Sequence, residues 1–281
     1  MKYISGRKPK LFYLFFGAIL LTLFYSTATA QGDLLITPKR IVFDGSKRSE
    51  EINLANIGTD TATYTISFVQ YKMNENGKFE PISDQDTTQK YSSKNLRYFP
   101  RTVTLAPNEA QSVKLQLINK NALLPGEYRS HLFFRAMKQP KPLGEEEVQK
   151  VDSVISIQLT PVFGISIPII IRLGETSLKM NFSNASFVMN GNDALMKITL
   201  NRSGNISSYG DIRVDHISTD NKVTNVGFVK GIAVYLPNAK RNFSMLLNKV
   251  PGVDLHSGKL RVTYSDQSAI PLTLCEQEIA Q

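Results

Sequence analysis

The sequence predicts an all-β protein built from two β-sandwich domains. Three observations support this prediction: short segments of alternating apolar and polar residues recur between turn signals, one segment keeps the alternation from residue 155 to residue 171, and one pattern of residues occurs twice. Alternation with a period of two places apolar side chains on one side of a strand, and many short strands separated by turns are typical of sandwiches. No window carries a convincing helical stripe.

The segment before residue 137 is predicted to contain a series of short strands. Each has its apolar residues at every second position, and turn sequences such as Asp44-Gly45, Asn74–Gly77 and Pro107-Asn108 separate them. Residues 80–95 are polar and are predicted to form a loop. The predicted strands cover residues 34–44, 52–56, 63–71, 103–105, 113–117 and 128–136.

The segment from residue 155 to residue 171 has an apolar residue at every odd position. At ~3.3 Å per residue such a strand would be about 55 Å long, whereas strands usually have about 5–6 residues. A small sheet is rarely that tall, so one end of the stripe is predicted to lie outside the core and to face a partner. The alternative is a strand that is buried along its whole length between two domains. The apolar positions are Ile155, Ile157, Leu159, Pro161, Phe163, Ile165, Ile167, Ile169 and Ile171.

An internal repeat predicts two related domains. Leu105-Ala106-Pro107-Asn108, followed by an alternating strand, corresponds to Leu236-Pro237-Asn238 at an offset of 130 residues, again followed by an alternating strand. In each copy a Gly-x-x-Arg sequence then opens another strand, at Gly126 and at Gly258. The predicted domains are residues 31–172 and residues 175–281. Chance similarity between β-rich segments is the alternative explanation.

Residues 1–30 are predicted to be a signal peptide for export to the periplasm. Basic residues precede an apolar run from residue 11 to residue 25, which is short for a membrane span of ~20 residues, and Ala28-Thr29-Ala30 is a cleavage motif. The mature chain would then begin at Gln31. An uncleaved N-terminal anchor is the alternative. No later segment is apolar enough to span a bilayer, so stable membrane insertion is not expected once the signal peptide has been removed.

Charge and cysteine content narrow the possible functions. The formal net charge is +9, but the basic residues form no Lys/Arg run outside the signal peptide, so a nucleic-acid partner is not expected. Cys275 is the only cysteine, which excludes an intrachain disulfide, and it is predicted to be a small buried residue of a last strand.

No catalytic constellation occurs in the sequence. The three histidines, His131, His216 and His256, do not have metal-ligand spacing, and no nucleophile elbow, phosphate loop or zinc-protease motif is present. His131 lies opposite the apolar face of its strand and is predicted to be at the surface. The sequence therefore predicts a protein that is not an enzyme and has no cofactor.

Two segments resemble the PapD-like periplasmic chaperones of pilus assembly. These segments are Pro38–Gly45 and Pro100–Val113, and the order of later strands is also similar to that family over most of the mature chain. The resemblance implies two immunoglobulin-like sandwiches in an L-shaped arrangement. It also implies a chaperone that lends a long strand to pilin or fimbrial subunits, by donor-strand complementation, and delivers them to an outer-membrane usher. The donor residues would be Ile155, Ile157, Leu159, Pro161 and Phe163.

The resemblance also assigns roles to single residues. Arg40 matches a cleft arginine that anchors the carboxylate at the end of the subunit, and Arg172 matches an arginine that stabilises the junction of the domains. The family's second anchoring residue, a lysine, is absent, because Pro168 occupies its place. Arg40 would then act alone or with Lys39 or another basic group.

Two functions from other classes compete with the chaperone interpretation. One is an exported hydrolase, which the absence of a catalytic constellation disfavours. A two-domain surface adhesin or carbohydrate-binding sandwich would have the same strand pattern. The absence of tryptophan disfavours stacking on sugars, although 11 tyrosines could serve. The sequence names neither the subunit nor the usher.

Overall fold

The computed structural model describes residues 34–83, 86–137, 163–191 and 193–280, and these residues form two β-sandwiches. The predicted signal peptide and the predicted donor residues Ile155, Ile157, Leu159 and Pro161 lie outside the described residues. Eleven strands form the first sandwich and the hairpin beside it. They are β1 (Leu34–Thr37), β2 (Ile41–Phe43), β3 (Ser49–Asn56), β4 (Ala62–Val69), β5 (Tyr71–Met73), β6 (Phe79–Pro81), β7 (Leu96–Phe99), β8 (Thr102–Leu105), β9 (Ala110–Leu117), β10 (Gly126–Ala136) and β11 (Gly164–Leu173).

The first sandwich packs a four-stranded sheet, β1-β3-β9-β7, on a five-stranded sheet, β2-β11-β10-β4-β8. Short 3-10 turns at Ser93–Asn95 and Lys120–Ala122 lie in its connections. The alternation in sequence decides which side chains enter the core, because every second residue of each strand points inward. Fully buried core residues include Ile52, Leu54, Leu105, Val113, Leu115, Leu132, Phe134, Ile169 and Ile171.

The first predicted strand, residues 34–44, is two strands in the structure. β1 pairs with β3 in one sheet, and after Pro38 the chain crosses to the other sheet, where β2 runs parallel to β11. Proline has no backbone N–H to contribute to a ladder, which accounts for the break at this position. The break brings Arg40 to the start of β2. A second difference is that residues 80–95 are not entirely loop, because they contain the end of β6 and a 3-10 turn.

The second sandwich packs a three-stranded sheet, β12-β13-β16, on a four-stranded sheet, β15-β14-β17-β18. Its core includes Met196, Leu200, Ile212, Val214 and Tyr264. Cys275 lies half-buried in the last strand, where burial raises the pKa of its thiol to about 12. The strands are β12 (Leu178–Asn190), β13 (Asp193–Gly204), β14 (Ser208–Ile217), β15 (Val223–Val234), β16 (Lys240–Leu246), β17 (Lys259–Asp266) and β18 (Thr273–Ala280).

The two sandwiches repeat one topology. The order β11-β10-β4-β8 in the first corresponds to β18-β17-β14-β15 in the second, and the pair β3-β9 corresponds to β13-β16. The repeated Pro-Asn sequences lie in corresponding connections, from β8 to β9 and from β15 to β16, each of which carries the chain from one sheet to the other. The all-β fold and the two sandwiches are therefore confirmed, while the L-shaped arrangement and the exact domain limits stay predictions.

The prediction that His131 is a surface residue is wrong. Its side chain points away from the core of the first sandwich, but His131 is only 3% exposed. The β5-β6 hairpin folds back over this face, and the rings of Tyr71 and Phe79 lie edge-on to the imidazole at 5.2 and 5.3 Å. Burial, assisted by the nearby positive charge of Arg129, lowers the pKa of His131 to about 3. The imidazole is therefore neutral in the folded protein at physiological pH.

The lowered pKa of His131 predicts a loss of stability in mild acid. An unfolded histidine takes up a proton below pH 6.5, whereas His131 in the folded protein does so only near pH 3, so folding is opposed increasingly as the pH falls between these values. From pH 6.5 to 4.5 this single group should reduce the free energy of unfolding by about 2 to 3 kcal/mol. Urea denaturation at both pH values, compared between wild type and His131→Phe, measures the effect. Carboxylates titrate in both proteins, so their effect on stability cancels in the comparison. An equal loss of unfolding free energy in wild type and in His131→Phe would contradict the prediction.

Candidate functional site

The strand β11 has an open edge over half of its length. On one side it pairs with β10 from Gly164 to Leu173, and on the other it pairs with β2 only from Ile169 to Ile171. In the part of the chain that the structure describes, no strand pairs with this second edge between Gly164 and Pro168. An unpaired strand edge carries backbone donors and acceptors that can pair with a strand of another molecule.

Burial changes along the same strand. Ile167, Ile169 and Ile171 are buried in the first core, whereas Ile165 is 39% exposed and Phe163 is 51% exposed. The backbone at this exposed end is still held by β10, because Ala136 N–H donates to the Phe163 carbonyl at 3.0 Å. The apolar stripe therefore continues in register beyond the core that buries its other half. Of the five predicted donor residues, Phe163 is the one that lies in the described chain.

Gly164 allows the ring of Phe133 to pack against β11 on the face opposite to the one that carries Phe163 and Ile165. A Cβ atom at Gly164 would lie 2.4 Å from the ring of Phe133 on β10, which is closer than real contacts allow. The ring thus occupies the space that a side chain would need, and it covers the backbone of β11 on that face. The exposed end of the strand consequently presents Phe163 and Ile165 on one face, while Phe133 covers the other.

Arg40, the predicted carboxylate anchor, lies at the junction of the two sandwiches. Its guanidinium stacks on the ring of Tyr209 at 4.4 Å and lies 5.6 Å from that of Tyr235, and Nη1 donates to the Tyr235 hydroxyl at 3.3 Å. Among the described residues, no carboxylate forms a salt bridge with Arg40. Two tyrosines of the second sandwich thus position a cation of the first sandwich that no described carboxylate neutralises.

A second cation at the junction, Arg129, was not predicted from the sequence. It stands on β10, and its guanidinium lies 4.2 Å from the ring of Tyr235. Nη2 donates to Gln89 Oε1 at 2.8 Å and to the Tyr71 carbonyl at 3.3 Å, whereas Nε and Nη1 have no hydrogen-bond partner. Burial lowers the pKa of Arg129 to about 10, so the group is charged at neutral pH. Arg129 and His131 are two residues apart on β10, so both point to the same face of the sheet. The sequence does not show that the hairpin and the second sandwich cover this face.

A buried ion pair holds the sandwiches together. Glu127 at the start of β10 accepts a hydrogen bond from Arg172 Nε at 2.9 Å, and it also accepts from the backbone N–H and the hydroxyl of Ser207. Arg172 in turn donates from Nη2 to the Ser207 carbonyl at 2.9 Å. Because Ser207 belongs to the second sandwich, these bonds cross the junction. They are the contacts that the predicted structural role of Arg172 requires.

The β5-β6 hairpin makes a second connection between the sandwiches. Asn238 Nδ2 donates to the Met73 carbonyl at 2.6 Å, and the backbone of Asn242 donates to the Glu75 carbonyl at 2.7 Å. Met73 also packs in a small apolar cluster with Ile170, Ala233 and Tyr235. The hairpin thus covers the face of the first sandwich that carries Arg129 and fixes it against the second sandwich.

The described residues contain neither a membrane-spanning helix nor a metal-binding cluster. Within residues 34–83, 86–137, 163–191 and 193–280, no helical segment has the length and apolar character needed to cross a membrane. In the same part of the chain, no group of three or more His, Cys, Asp or Glu side chains is arranged to hold a metal ion.

Comparisons with known proteins give similarities at low identity. No protein-family model matches the chain, and no curated protein matches it. A solved structure of the YadV chaperone is 13% identical and covers 89% of this chain and 100% of its own, with a TM-score of 0.44. The class 5 fimbriae chaperone CfaA is 14% identical and covers 89% and 99%, with a TM-score of 0.43. The CupB2 chaperone of Pseudomonas aeruginosa is 10% identical and covers 88% and 99%, also with a TM-score of 0.43.

Removal of the buried carboxylate at the junction should destabilise the protein strongly. Glu127→Ala leaves Arg172 and Ser207 without their shared acceptor, and breaking a buried pair from one side costs about 3–5 kcal/mol. We expect a clearly lower midpoint in urea denaturation and faster amide exchange at Ser207 and Leu236. Glu276→Ala, which alters an exposed carboxylate near Arg261, is the matched control. A midpoint shift no larger than that of the control would contradict the assignment of Glu127 to the junction.

Proposed function

We propose that this protein is a non-enzymatic periplasmic chaperone that binds pilin or fimbrial subunits by donor-strand complementation and delivers them to an outer-membrane usher. The observation that carries the proposal is the end of β11, which continues past its own core with an open edge and exposed apolar side chains. A strand end with an unpaired edge and exposed apolar side chains is suited to complete the sheet of another protein.

Strand addition uses the two kinds of group that this end of β11 offers. Backbone N–H and C=O groups along the open edge supply hydrogen bonds to the partner, and alternate side chains fill pockets in its groove. Complete burial of a Phe or Ile side chain is worth ~1.5–3 kcal/mol, and Phe163 and Ile165 are both partly exposed. An uncovered apolar edge also favours aggregation, so a partner that covers it protects both molecules. The residues Ile155, Ile157, Leu159 and Pro161 would extend the same stripe.

The kind of partner is inferred from the sequence. The segments Pro38–Gly45 and Pro100–Val113 resemble the pilus chaperones, and the predicted signal peptide supports a periplasmic location, where such subunits fold. Arg40 lies within the first of these segments. Its position against Tyr209 and Tyr235 supports its role as an anchor for a terminal carboxylate.

Charged substitutions in the donor strand should abolish capture of a subunit without unfolding the chaperone. Phe163→Glu and Leu159→Glu place a carboxylate where an apolar pocket of the subunit is expected, which desolvates a charge. The measurement is co-purification of a co-expressed pilin-like subunit that wild type captures, together with the melting temperature of each variant. Capture should be lost while the melting temperature changes little.

Phe99 provides a matched control for Phe163. It is 77% exposed on β7, an edge strand of the other sheet, so Phe99→Glu introduces the same charge away from β11. This variant should capture subunits as wild type does. If Phe163→Glu captures normally, or if it unfolds while Phe99→Glu does not, the donor-strand proposal is wrong. Binding of sugars but not of subunits would instead indicate a carbohydrate-binding sandwich.

Replacement of Arg40 should weaken binding of a subunit that has a free C-terminus. Charge-assisted hydrogen bonds contribute ~1.5–3 kcal/mol, so Arg40→Ala should raise the Kd at least tenfold. The Kd is measured by calorimetry for a subunit with a free and with an amidated C-terminus. Arg101→Ala is the matched control, because Arg101 also stacks on a tyrosine, Tyr98, but away from the junction. Equal affinity for the free and the amidated subunit would count against this role.

A further inference from the structure

The backbone of β11 offers hydrogen-bonding groups to its two edges at alternate residues. In an antiparallel pair, residues that face each other exchange either both backbone hydrogen bonds or none, and the two kinds alternate along the strands. Ala136 N–H donates to the Phe163 carbonyl at 3.0 Å, and the register of Arg135 with Gly164 places these two residues opposite each other. The odd-numbered residues of β11 therefore bond to β10. Its even-numbered residues direct their N–H and C=O groups to the other edge, where β2 pairs with Ile169–Ile171.

The other side of β10 gives the same alternation independently. Met137 N–H donates to the Thr63 carbonyl at 2.8 Å, and the register of Ala136 with Tyr64 places these residues opposite each other. The odd-numbered residues of β10 thus bond towards β4, and its even-numbered residues bond towards β11. Two separate hydrogen bonds consequently agree on which groups of β11 face the open edge.

Pro168 stands at an even position of β11, so its nitrogen is directed to the open edge. Proline has no N–H, and its ring occupies the space in which the hydrogen would lie. Pairing with β10 is unaffected, because Pro168 faces His131 in a pair that exchanges no backbone hydrogen bonds. Gly164 and Ser166 therefore offer N–H donors to this edge, whereas Pro168 offers only its carbonyl.

Pro168 also lies between two differently used parts of the edge. The parallel register of β2, extended by one residue, places Arg40 opposite Pro168, and β2 begins at the next residue, Ile41. On the other side of Pro168, the exposed residues Gly164 and Ser166 have no strand beside them among the described residues. A missing donor ends the ladder of β2 from one direction. The same gap would end, from the other direction, the ladder of a subunit strand added to this edge, which we call the captured strand.

We propose that Pro168 fixes the register of the captured strand, because it stops backbone pairing with β11 at Ser166. A slip by one residue turns every side chain of a strand to the opposite face, so a slip by two is the one that keeps the apolar side chains in place. A captured strand that slipped by two residues towards β2 would meet the ring of Pro168 and find no donor there. This inference rests on the chaperone proposal and adds a specificity-determining residue to it.

The test is disulfide mapping in the complex with a pilin-like subunit that wild type captures. In a Cys275→Ser background, Ser166→Cys provides one thiol at the open edge, and each subunit variant carries one cysteine along the captured strand. Because cysteines link only when their Cα atoms lie within about 7 Å, the linked position reports the register. We expect one linked position when Pro168 is present and a second, two residues away, in Pro168→Ala. Pro271→Ala, in the loop between β17 and β18, is the matched control and should give the first position alone.

A proline scan tests the alternation by a second measurement. Ser166→Pro removes an N–H that faces the open edge, so it should keep the melting temperature of wild type and weaken subunit binding roughly three- to tenfold, as expected for one hydrogen bond. Ile165→Pro removes an N–H that bonds to β10, so it should lower the melting temperature clearly. The two variants differ by one position in the strand and by the edge that they alter.

The outcomes separate this inference from the chaperone proposal. Capture with one and the same linked position in wild type and in Pro168→Ala would overturn the role of Pro168 and leave the chaperone proposal intact. If Pro168→Ala does not fold, Ser166→Pro decides, because unchanged affinity or a melting temperature as low as that of Ile165→Pro would overturn the inference. Failure of wild type to capture any pilin-like subunit would instead refute the chaperone proposal, and this inference with it.

Discussion

The pairing of β11 with β10 is the interaction on which the rest of the molecule depends. It runs from Gly164 to Leu173, while the core of the first sandwich buries only the part of β11 that begins at Ile167. β10 therefore holds the exposed end in a defined extended conformation, although little of its own sandwich covers it. A strand that is already extended loses less conformational entropy when it adds to another sheet than a flexible segment would.

The same two strands also organise the junction. The residues of β10 and β11 that point away from the first core include Arg129, His131 and Ile170, and they meet the hairpin and the second sandwich. Glu127 and Arg172, at the adjoining ends of these strands, bond to Ser207. One face of the sheet thus builds the core, and the other face joins the two sandwiches.

Two arginine side chains lie close together at the junction of the sandwiches, which is electrostatically unfavourable. Arg40 and Arg129 both lie within 6 Å of the ring of Tyr235, and neither has a carboxylate partner among the described side chains. Two neighbouring guanidinium groups repel each other, and burial of one of them removes water that would otherwise stabilise its charge. The apolar cluster and the Glu127 ion pair supply stability at the same place.

The sequence by itself determined the all-β class and the inward faces of most strands of the first sandwich, because the alternation of apolar and polar residues reports which side of a strand is buried in its own sandwich. It did not show that residues 34–44 divide into two strands of different sheets. It also indicated the duplication, and it singled out Phe163 and Arg40, which the structure places at an open edge and at the junction. The burial of His131 and the position of Arg129 were decided only by tertiary structure. Both point away from the core, and a local pattern cannot show that a hairpin and a second sandwich return to cover that face.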